Sequence, residues 1–257
     1  MKPIKEIYKY RELLAELVKR DIKIKYRRSI LGILWSVLNP LLFMIVSTIV
    51  FSTIFKNDIE NFPIYFLCGQ IIFTLFSDST SLAQVSILGN GALIKKVYIP
   101  KYIFPISKAC SGLVNSGFSL IAIIIMFIFI QYKPPLTVFG IIIPIAYVFL
   151  FSIGVGMLLS ALAVFFRDTI HLYGVFITVI SYFSALFYPA EIIPEQFQIF
   201  LRYNPIYLFI DYFRQLILYG VMPGLATNII CICYCVLALL IGYYVFKKSE
   251  NKFILYI

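Results

Sequence analysis

The residues of this chain that could carry out acid–base or metal chemistry are few and scattered. His171 is the one histidine, and Cys231, Cys233 and Cys235 occupy every second position of an apolar run. On a single helix these three thiols cannot converge on a metal ion. The pattern predicts neither a metal site nor a catalytic site. It disfavours an intramembrane acyltransferase or glycosyltransferase, because such an enzyme needs acid and base groups that meet.

Polar side chains inside apolar stretches favour binding or passage of a ligand instead. Asp78 is the one carboxylate clearly within such a stretch, and carboxylates inside membranes line pores or relay protons. The neighbouring hydroxyl residues leave a hydrated end or a break of the helix as an equal alternative; they are Ser77, Ser79, Thr80 and Ser81. Ser111, Asn115 and Ser119 form a second polar stripe, which could line a channel or form hydrogen bonds within a bundle.

The elements that must position these residues follow from composition. The chain has 257 residues, of which 61% are hydrophobic and 13% charged, whereas soluble domains carry about 45–50% apolar and about 25% charged residues. We therefore expect an all-α polytopic membrane protein, forming one domain over residues 1–257. Six apolar stretches of helical length predict six transmembrane helices, at about 33–55, 63–87, 104–131, 137–165, 169–189 and 226–246.

The positive charge indicates orientation. A net charge of +10 could suggest nucleic acid, but 18 of the 22 Lys and Arg residues lie before the first stretch, in the second and fourth loops, or after the sixth stretch. Cytoplasmic loops carry such an excess. We therefore predict a multi-pass protein of the cell membrane with both termini in the cytoplasm, in contact with lipids and not with nucleic acid, and with a cytoplasmic tail at 247–257.

The segment 1–31 before the first span is predicted to contain an interfacial helix. Residues 5–24 place charged side chains on one face and apolar side chains on the other, which is typical of a helix lying at the membrane surface; a helix packed on a cytoplasmic partner is the alternative. Asp21 falls on the apolar face and needs a cation; Lys25 follows on the same face, and Arg27 and Arg28 are close in sequence. The residues assigned to this helix and its hinge are Arg20, Asp21, Lys25, Arg27, Arg28 and Trp35.

The second cytoplasmic loop is predicted to hold a short docking helix. Asn90 would cap a helix over Ala92–Tyr98, and Pro100 would end it. A basic and partly apolar helix of this kind could fit a groove on a soluble partner, or the loop could be a plain linker. The residues assigned to docking are Leu93, Ile94, Lys95, Lys96, Val97, Tyr98 and Pro100.

Two further segments carry structural signals. Ser152, Gly156 and Ser160 recur every four residues in the fourth span and predict a helix-packing face. The segment between the fifth and sixth spans is interrupted by four prolines and also carries charge. It is expected to form an external cap that dips partly into the membrane; its charged residues are Glu191, Glu195, Arg202, Asp211 and Arg214.

Three groups of residues resemble the permease subunits of ABC-2-type exporters of O-antigen and teichoic-acid polysaccharides. The first group is Arg20–Lys23 with Tyr26–Trp35 and Asn39–Pro40, and the second is Asn90–Pro100. The third is Phe165–Asp168 with Tyr188–Pro189 and Tyr203–Pro205. The likeness covers nearly the whole chain, with the motifs in order.

The resemblance implies a homodimer bound to two copies of a separate subunit that binds ATP and Mg²⁺, in a bacterial inner membrane. The docking helix would be the coupling helix, and residues from about 190 to 223 a re-entrant pair of short helices at the external mouth. The substrate would be a polysaccharide carried on undecaprenyl diphosphate; another amphiphile or a drug is the alternative. This chain lacks a Gly-x-x-x-x-Gly-Lys-Ser/Thr loop, so we expect no enzyme activity and no cofactor in it.

A conduit for sugar would need a lining that holds pyranose rings loosely, and aromatic faces suit this. Aromatic residues near the external ends of the spans are therefore candidates for a channel or gate, although Tyr at membrane interfaces also forms ordinary aromatic belts. The candidates are Tyr65, Phe66, Phe73, Tyr182, Phe187, Tyr188, Tyr203 and Tyr207.

Overall fold

The apolar runs form helices wherever the structure describes the chain. A computed structural model describes residues 8–27, 29–54 and 59–257. Arg28, assigned to the hinge, lies outside the described residues. Within these ranges every regular element is helical, which confirms the all-α prediction.

Ten helices are labelled here in chain order. They are α1 Arg11–Lys25, α2 Trp35–Thr48, α3 Phe62–Gln84, α4 Gly91–Lys96, α5 Ile103–Ile130, α6 Ile142–Phe165, α7 Thr169–Tyr182, α8 Glu195–Arg202, α9 Pro205–Arg214 and α10 Leu225–Ser249. The 3₁₀ turns Gly32–Leu34 and Leu136–Ile141 lead into α2 and α6, and the π-helical turns Ile49–Ile54 and Gln215–Tyr219 extend α2 and α9. Single turns lie at Ser86–Gly89 and Phe253–Tyr256.

Five segments of the described chain are long and apolar enough to cross a membrane. They are Gly32–Phe51, Phe62–Gln84, Ile103–Ile130, Leu136–Phe165 and Leu225–Tyr256. The stretch 169–189, expected as the fifth of six spans, contains α7, which has 14 residues. At 1.5 Å per residue α7 is about 21 Å long, shorter than the roughly 30 Å hydrocarbon core. Two short helices, α8 and α9, separate α7 from α10.

The central helix of the bundle is α3, which packs against α5, α6 and α9. Ile64, Phe66 and Ile72 on α3 are fully buried. Asp78 lies inside this continuous helix, so the helix break that the surrounding hydroxyl residues suggested does not occur. This part of α3 is polar because it lines cavities between the helices.

The fourth span, α6, packs closely on both sides. Ser152, Gly156 and Ser160 are buried, and a Cβ atom added at Gly156 would lie 2.8 Å from Cβ of Ala83 on α3. On the other side Gly154 touches α10, where a Cβ would lie 2.5 Å from the backbone oxygen of Ala238. Small residues therefore allow α6 to lie between two helices.

A second apolar cluster joins α1 and α4 to one end of the bundle. Leu17 of α1 and Ile94 of α4 pack there with Phe104, Met157 and Phe253. Part of the apolar face of α1 thus covers the chain's own core. The position of α1 at a membrane surface stays a prediction.

Candidate functional site

A cavity of about 650 Å³ lies between α2, α3 and α5. Its walls combine hydroxyl and amide groups with aromatic rings: Ser36, Asn39, Gln70, Thr74, Ser77, Asn115, Ser116 and Ser119 supply the polar groups, and Tyr26, Trp35, Phe43, Phe73 and Phe187 the rings. The buried hydroxyl of Ser116 has no hydrogen-bond partner among the described residues. Such a wall can bind a ligand that is polar at its edges and apolar on its faces.

A second cavity, of about 710 Å³, adjoins the first toward α1 and the turn Ser86–Gly89. It carries more charge, because Arg20, Asp21 and Lys108 line it. The buried hydroxyl of Ser86 also lines it and has no partner within the described chain. We call the first space the polar cavity and the second the charged cavity.

Three residues line both cavities: Lys25, Asp78 and Asn115. Lys25 ends α1, and its Nζ lies 3.3 Å from Oδ2 of Asp78 on α3. The ion pair therefore stands where the two cavities meet. The side chains of Lys25 and Asp78 are 44% and 35% exposed, so they face open space.

Lys25, the candidate on the same helical face, is thus not the partner of Asp21. Asp21 Oδ1 accepts from Nζ of Lys108 at 2.8 Å and lies 3.4 Å from Nη2 of Arg20, while Ser111 Oγ donates to Oδ2 at 3.3 Å. The partly buried carboxylate does have a cation, as its position required. That cation comes from α5 because α1 lies against α5, and Lys25 turns toward α3 instead.

The polar stripe on α5 connects these cavities to the hinge after α1. Tyr26 hydroxyl makes hydrogen bonds with Ser36 Oγ and, at 3.3 Å, with Oδ1 of Asn115. Ser119 Oγ donates to the backbone oxygen of Ser36 at 3.1 Å. The stripe thus both lines the cavities and forms hydrogen bonds within the bundle. Of the other hinge residues, Arg27 is exposed.

The short helix of the second Lys-rich loop forms as α4, two residues shorter at its end than predicted. Asn90 does not cap it: its Nδ2 donates to the Ser86 oxygen at 2.7 Å and its Oδ1 accepts from Arg20 Nη2 at 3.1 Å. Lys95 Nζ donates to the backbone oxygen of Ile257 at 2.6 Å. The segment is therefore tied to α1 and to the turn after α10.

The remaining docking residues divide into a packed set and an exposed set. Leu93 and Ile94 pack into the second apolar cluster, while Lys96, Val97 and Tyr98 are exposed, and Tyr98 is 97% exposed. Pro100 is partly buried. An exposed surface with basic and aromatic side chains results.

The structure divides the aromatic candidates into four groups. Phe73 and Phe187 line the polar cavity. Tyr65 and Phe66 are buried within the bundle, Tyr182 and Tyr203 are exposed, and Tyr188 and Tyr207 are partly buried. Their part in a channel stays a prediction.

Arg214 is a residue whose contacts the sequence did not predict. It was expected among the charged residues of an external cap, and in the structure it is 2% exposed. Its guanidinium lies 3.5 Å from the ring centroid of Tyr65 and donates to the backbone oxygens of Ala185 at 2.9 Å and Leu186 at 3.3 Å. It also donates to the Tyr65 hydroxyl at 2.9 Å and to the Tyr65 backbone oxygen at 3.3 Å.

These contacts hold the segment after α7 against α3. Leu186 and Phe187 in that segment line the polar cavity. Ala185 has a φ of 49°, a left-handed conformation that a residue with a Cβ adopts only where its surroundings hold it. Arg214 is therefore a positioning residue for one wall of the cavity.

A family model described as ABC-2 type transporter matches residues 12–218. The chain belongs to this family. As a member of a transporter family with several apolar spans, it is a multi-pass membrane protein. The resemblance drawn from the three motif groups is confirmed.

The curated relatives of this ABC-2 chain match it over 74% to 93% of their own length. It is 30% identical over 246 residues to the O-antigen export system permease protein RfbA of Klebsiella pneumoniae, covering 94% of this chain and 93% of that protein. RfbA of Myxococcus xanthus is 30% identical over 193 residues, or 75% and 74% of the two chains. The polysialic acid transport protein KpsM of Escherichia coli is 21% identical over 243 residues, or 91% and 92%.

Proposed function

We propose that this chain is the membrane permease of an ATP-driven exporter of lipid-linked polysaccharide of the O-antigen or teichoic-acid type. The observation that carries the proposal is the polar cavity inside the bundle of a chain whose relatives are named for O-antigen export and polysialic acid transport. The carrier would be undecaprenyl diphosphate. The direction would be from the cytoplasm across the bacterial inner membrane.

The wall of the polar cavity supports a carbohydrate substrate. Hydroxyl and amide groups can donate and accept hydrogen bonds, which matches the hydroxyl edges of a sugar. Phe73, Phe187 and Trp35 add flat apolar surface for the faces of pyranose rings. Ligand sites commonly combine such walls with a few placed polar groups, and a moving chain needs many weak contacts.

We infer the assembly from family membership and from charge. Two copies of this chain would bind two copies of a subunit that holds ATP and Mg²⁺. The Lys-rich segments, with both termini, would face the cytoplasm, and α8 with α9 would form the re-entrant pair at the external mouth. Because α7 has only 14 residues, it would complete the fifth crossing together with the apolar residues 183–187 that follow it, ahead of the re-entrant pair.

The proposal is tested by deleting the gene for this chain in its native host. Lipid-linked glycan should then accumulate on the cytoplasmic side of the membrane, and surface glycan should disappear. Staining of the surface polysaccharide, together with extraction of the lipid-linked pool, measures both. Normal surface glycan in that strain would contradict the proposal.

The exposed part of the α4 segment is expected to act as the coupling surface for the ATP-binding subunit. Replacing Lys95, Lys96 and Tyr98 together by alanine should lower partner affinity on the order of tenfold or more, because an exposed aromatic residue flanked by charges is a common interface anchor. Co-purification of the partner and ATPase activity in membranes measure this.

The matched control is the pair Lys133 and Leu136, which is also exposed and lies in the loop between α5 and α6. Alanine at both positions should leave partner binding unchanged. Equal co-purification of the α4 variant and the control variant would refute the coupling role of this segment.

A further inference from the structure

We propose that the ion pair of Lys25 and Asp78 is a charge gate between the charged cavity and the polar cavity, crossed by an anionic phosphate group. The proposal rests on the proposed function, which supplies the chemical identity of the anion that crosses. It does not concern the sugar. It assigns the point at which the charged head of the substrate passes from one space to the next.

The position of the pair is the first support. Lys25 and Asp78 line both cavities, and they come from different elements, the end of α1 and the middle of α3. Their atoms are 3.3 Å apart, so the closed pair links the hinge to the central helix of the bundle. Separation of α1 from α3 would open the passage.

The charges around the pair are the second support. In the charged cavity Asp21 already has Lys108 and Arg20 as cation partners, whereas Lys25 and Asp78 pair with each other. Beyond them the polar cavity is lined by neutral groups only. An anion that leaves the charged cavity therefore meets Lys25 as its last cation and Asp78 as a competitor for it.

The strength of the pair is the third support. A partly exposed ion pair contributes little free energy, since water screens it. A diphosphate carries more charge than one carboxylate and can replace Asp78 on Lys25. The pair is thus weak enough to exchange partners, and no other pair in the described chain stands between the two cavities.

Two positions on α3 allow a direct test, since they flank Asp78 by about one turn on either side. Thr74 lines the polar cavity but not the charged cavity, and Ser81 lines the charged cavity but not the polar cavity. Cysteine is placed at one of them in the complex with its ATP-binding subunit. Inverted membrane vesicles then expose the cytoplasmic face to an anionic (sulfonate) or a cationic (trimethylammonium) methanethiosulfonate of similar size.

The quantity measured is the ratio of anionic to cationic labelling rate at each cysteine, read by peptide mass spectrometry. In Thr74→Cys, adding Asp78→Asn leaves Lys25 unpaired and should raise this ratio about twofold to fivefold, while Lys25→Met should lower it by a similar factor. The exchange Lys25→Asp with Asp78→Lys restores a pair and should return the ratio to its starting value.

Two controls separate a gate from loosened structure. In Ser81→Cys, which lies before the gate, the same substitutions should change the ratio less than in Thr74→Cys. Lys19→Met, which breaks the exposed Glu16–Lys19 pair elsewhere on α1, should change neither site. A local loss of packing would raise both labelling rates together and leave their ratio unchanged.

The proposal is overturned if the two single substitutions move the ratio at Thr74→Cys in the same direction or not at all. It is also overturned if the exchanged pair fails to restore the ratio, or if Thr74→Cys stays unlabelled in every variant. The labelling measurement needs no polysaccharide, so it is independent of the deletion test. Labelling results that contradict the charge gate would leave the export proposal unaffected, and a negative deletion test would leave the labelling result unaffected.

Discussion

Replacement of Arg214 by methionine is expected to destabilise the protein strongly and to abolish export. Methionine fills a similar volume but donates no hydrogen bond. The buried backbone oxygens of Ala185 and Leu186, which accept from Arg214 at 2.9 Å and 3.3 Å, would then lose that donor. Each buried polar group left without a partner costs about 1–3 kcal/mol, and the stacking on Tyr65 is lost as well.

The conservative variant separates charge from geometry. Lysine at position 214 keeps a positive charge but replaces a planar group with five donors by a flexible ammonium group. It cannot reach Tyr65, Ala185 and Leu186 at once while stacking on the ring. We expect Arg214→Lys to melt between the parent protein and Arg214→Met in a thermal unfolding experiment in detergent.

The control is Arg202→Met, because Arg202 is exposed on the neighbouring helix α8. Its melting temperature and surface glycan should match those of the parent. If Arg214→Met melted at the same temperature as Arg202→Met, the positioning role of Arg214 would be wrong.

Loss of export is expected because Arg214 holds the segment after α7 in place. The segment after α7 carries Leu186 and Phe187 into the wall of the polar cavity, and Ala185 has a left-handed backbone that needs support. Gly69 on α3 leaves room for the guanidinium, since a Cβ there would lie 2.8 Å from Nη2 of Arg214. Loss of Arg214 thus changes the shape of the cavity even in molecules that remain folded.

The long spans could be predicted from sequence to within a few residues. The stretch 63–87 became Phe62–Gln84, and 104–131 became Ile103–Ile130. Such runs are apolar over the full length of a bilayer crossing, and only a helix satisfies the backbone of such a run. Turn residues mark their ends, as at Gln131, which ends α5 in a left-handed conformation.

The early end of α7 could not be predicted. The residues after Tyr182 include Phe183, Ala185, Leu186 and Phe187, which continue the apolar run, so hydropathy gives no stop signal. The helix ends there because the carbonyl groups of Ala185 and Leu186 bind Arg214, a residue far along the chain. A contact with a residue so far along the chain cannot be recognised from the sequence around Tyr182.

The partners of the charged residues could likewise be predicted only in part. From the helical projection, Asp21 falls on the apolar face of α1 and so needs a cation. Which cation it takes depends on how α1 lies on the bundle, and Lys108 on α5 is the one within reach. Lys25 therefore pairs with Asp78 instead, and the Asp78 carboxylate forms part of the boundary between the two cavities.

The contact of α6 with α10 leads to the second large prediction, that alanine at Gly242 will separate these two helices. A Cβ at Gly242 would overlap the backbone oxygen of Gly154. Backbone atoms cannot move aside as a flexible side chain can, so the helices must shift apart. Overpacking of this kind costs about 1–3 kcal/mol. The melting temperature in detergent should fall clearly below that of the parent protein.

Gly117→Ala on α5 is the matched control, because a Cβ at Gly117 meets nothing within 4 Å. It adds the same methyl group to a helix of similar length and should leave the melting temperature nearly unchanged. Alanine at Gly154 should behave like alanine at Gly242, since its Cβ would lie 2.5 Å from backbone atoms of both Ala238 and Leu239. If the melting temperature of the double alanine variant were no lower than that of either single variant, the two glycines would form one contact. If Gly242→Ala had the same melting temperature as the control, the close crossing of α6 and α10 would be refuted.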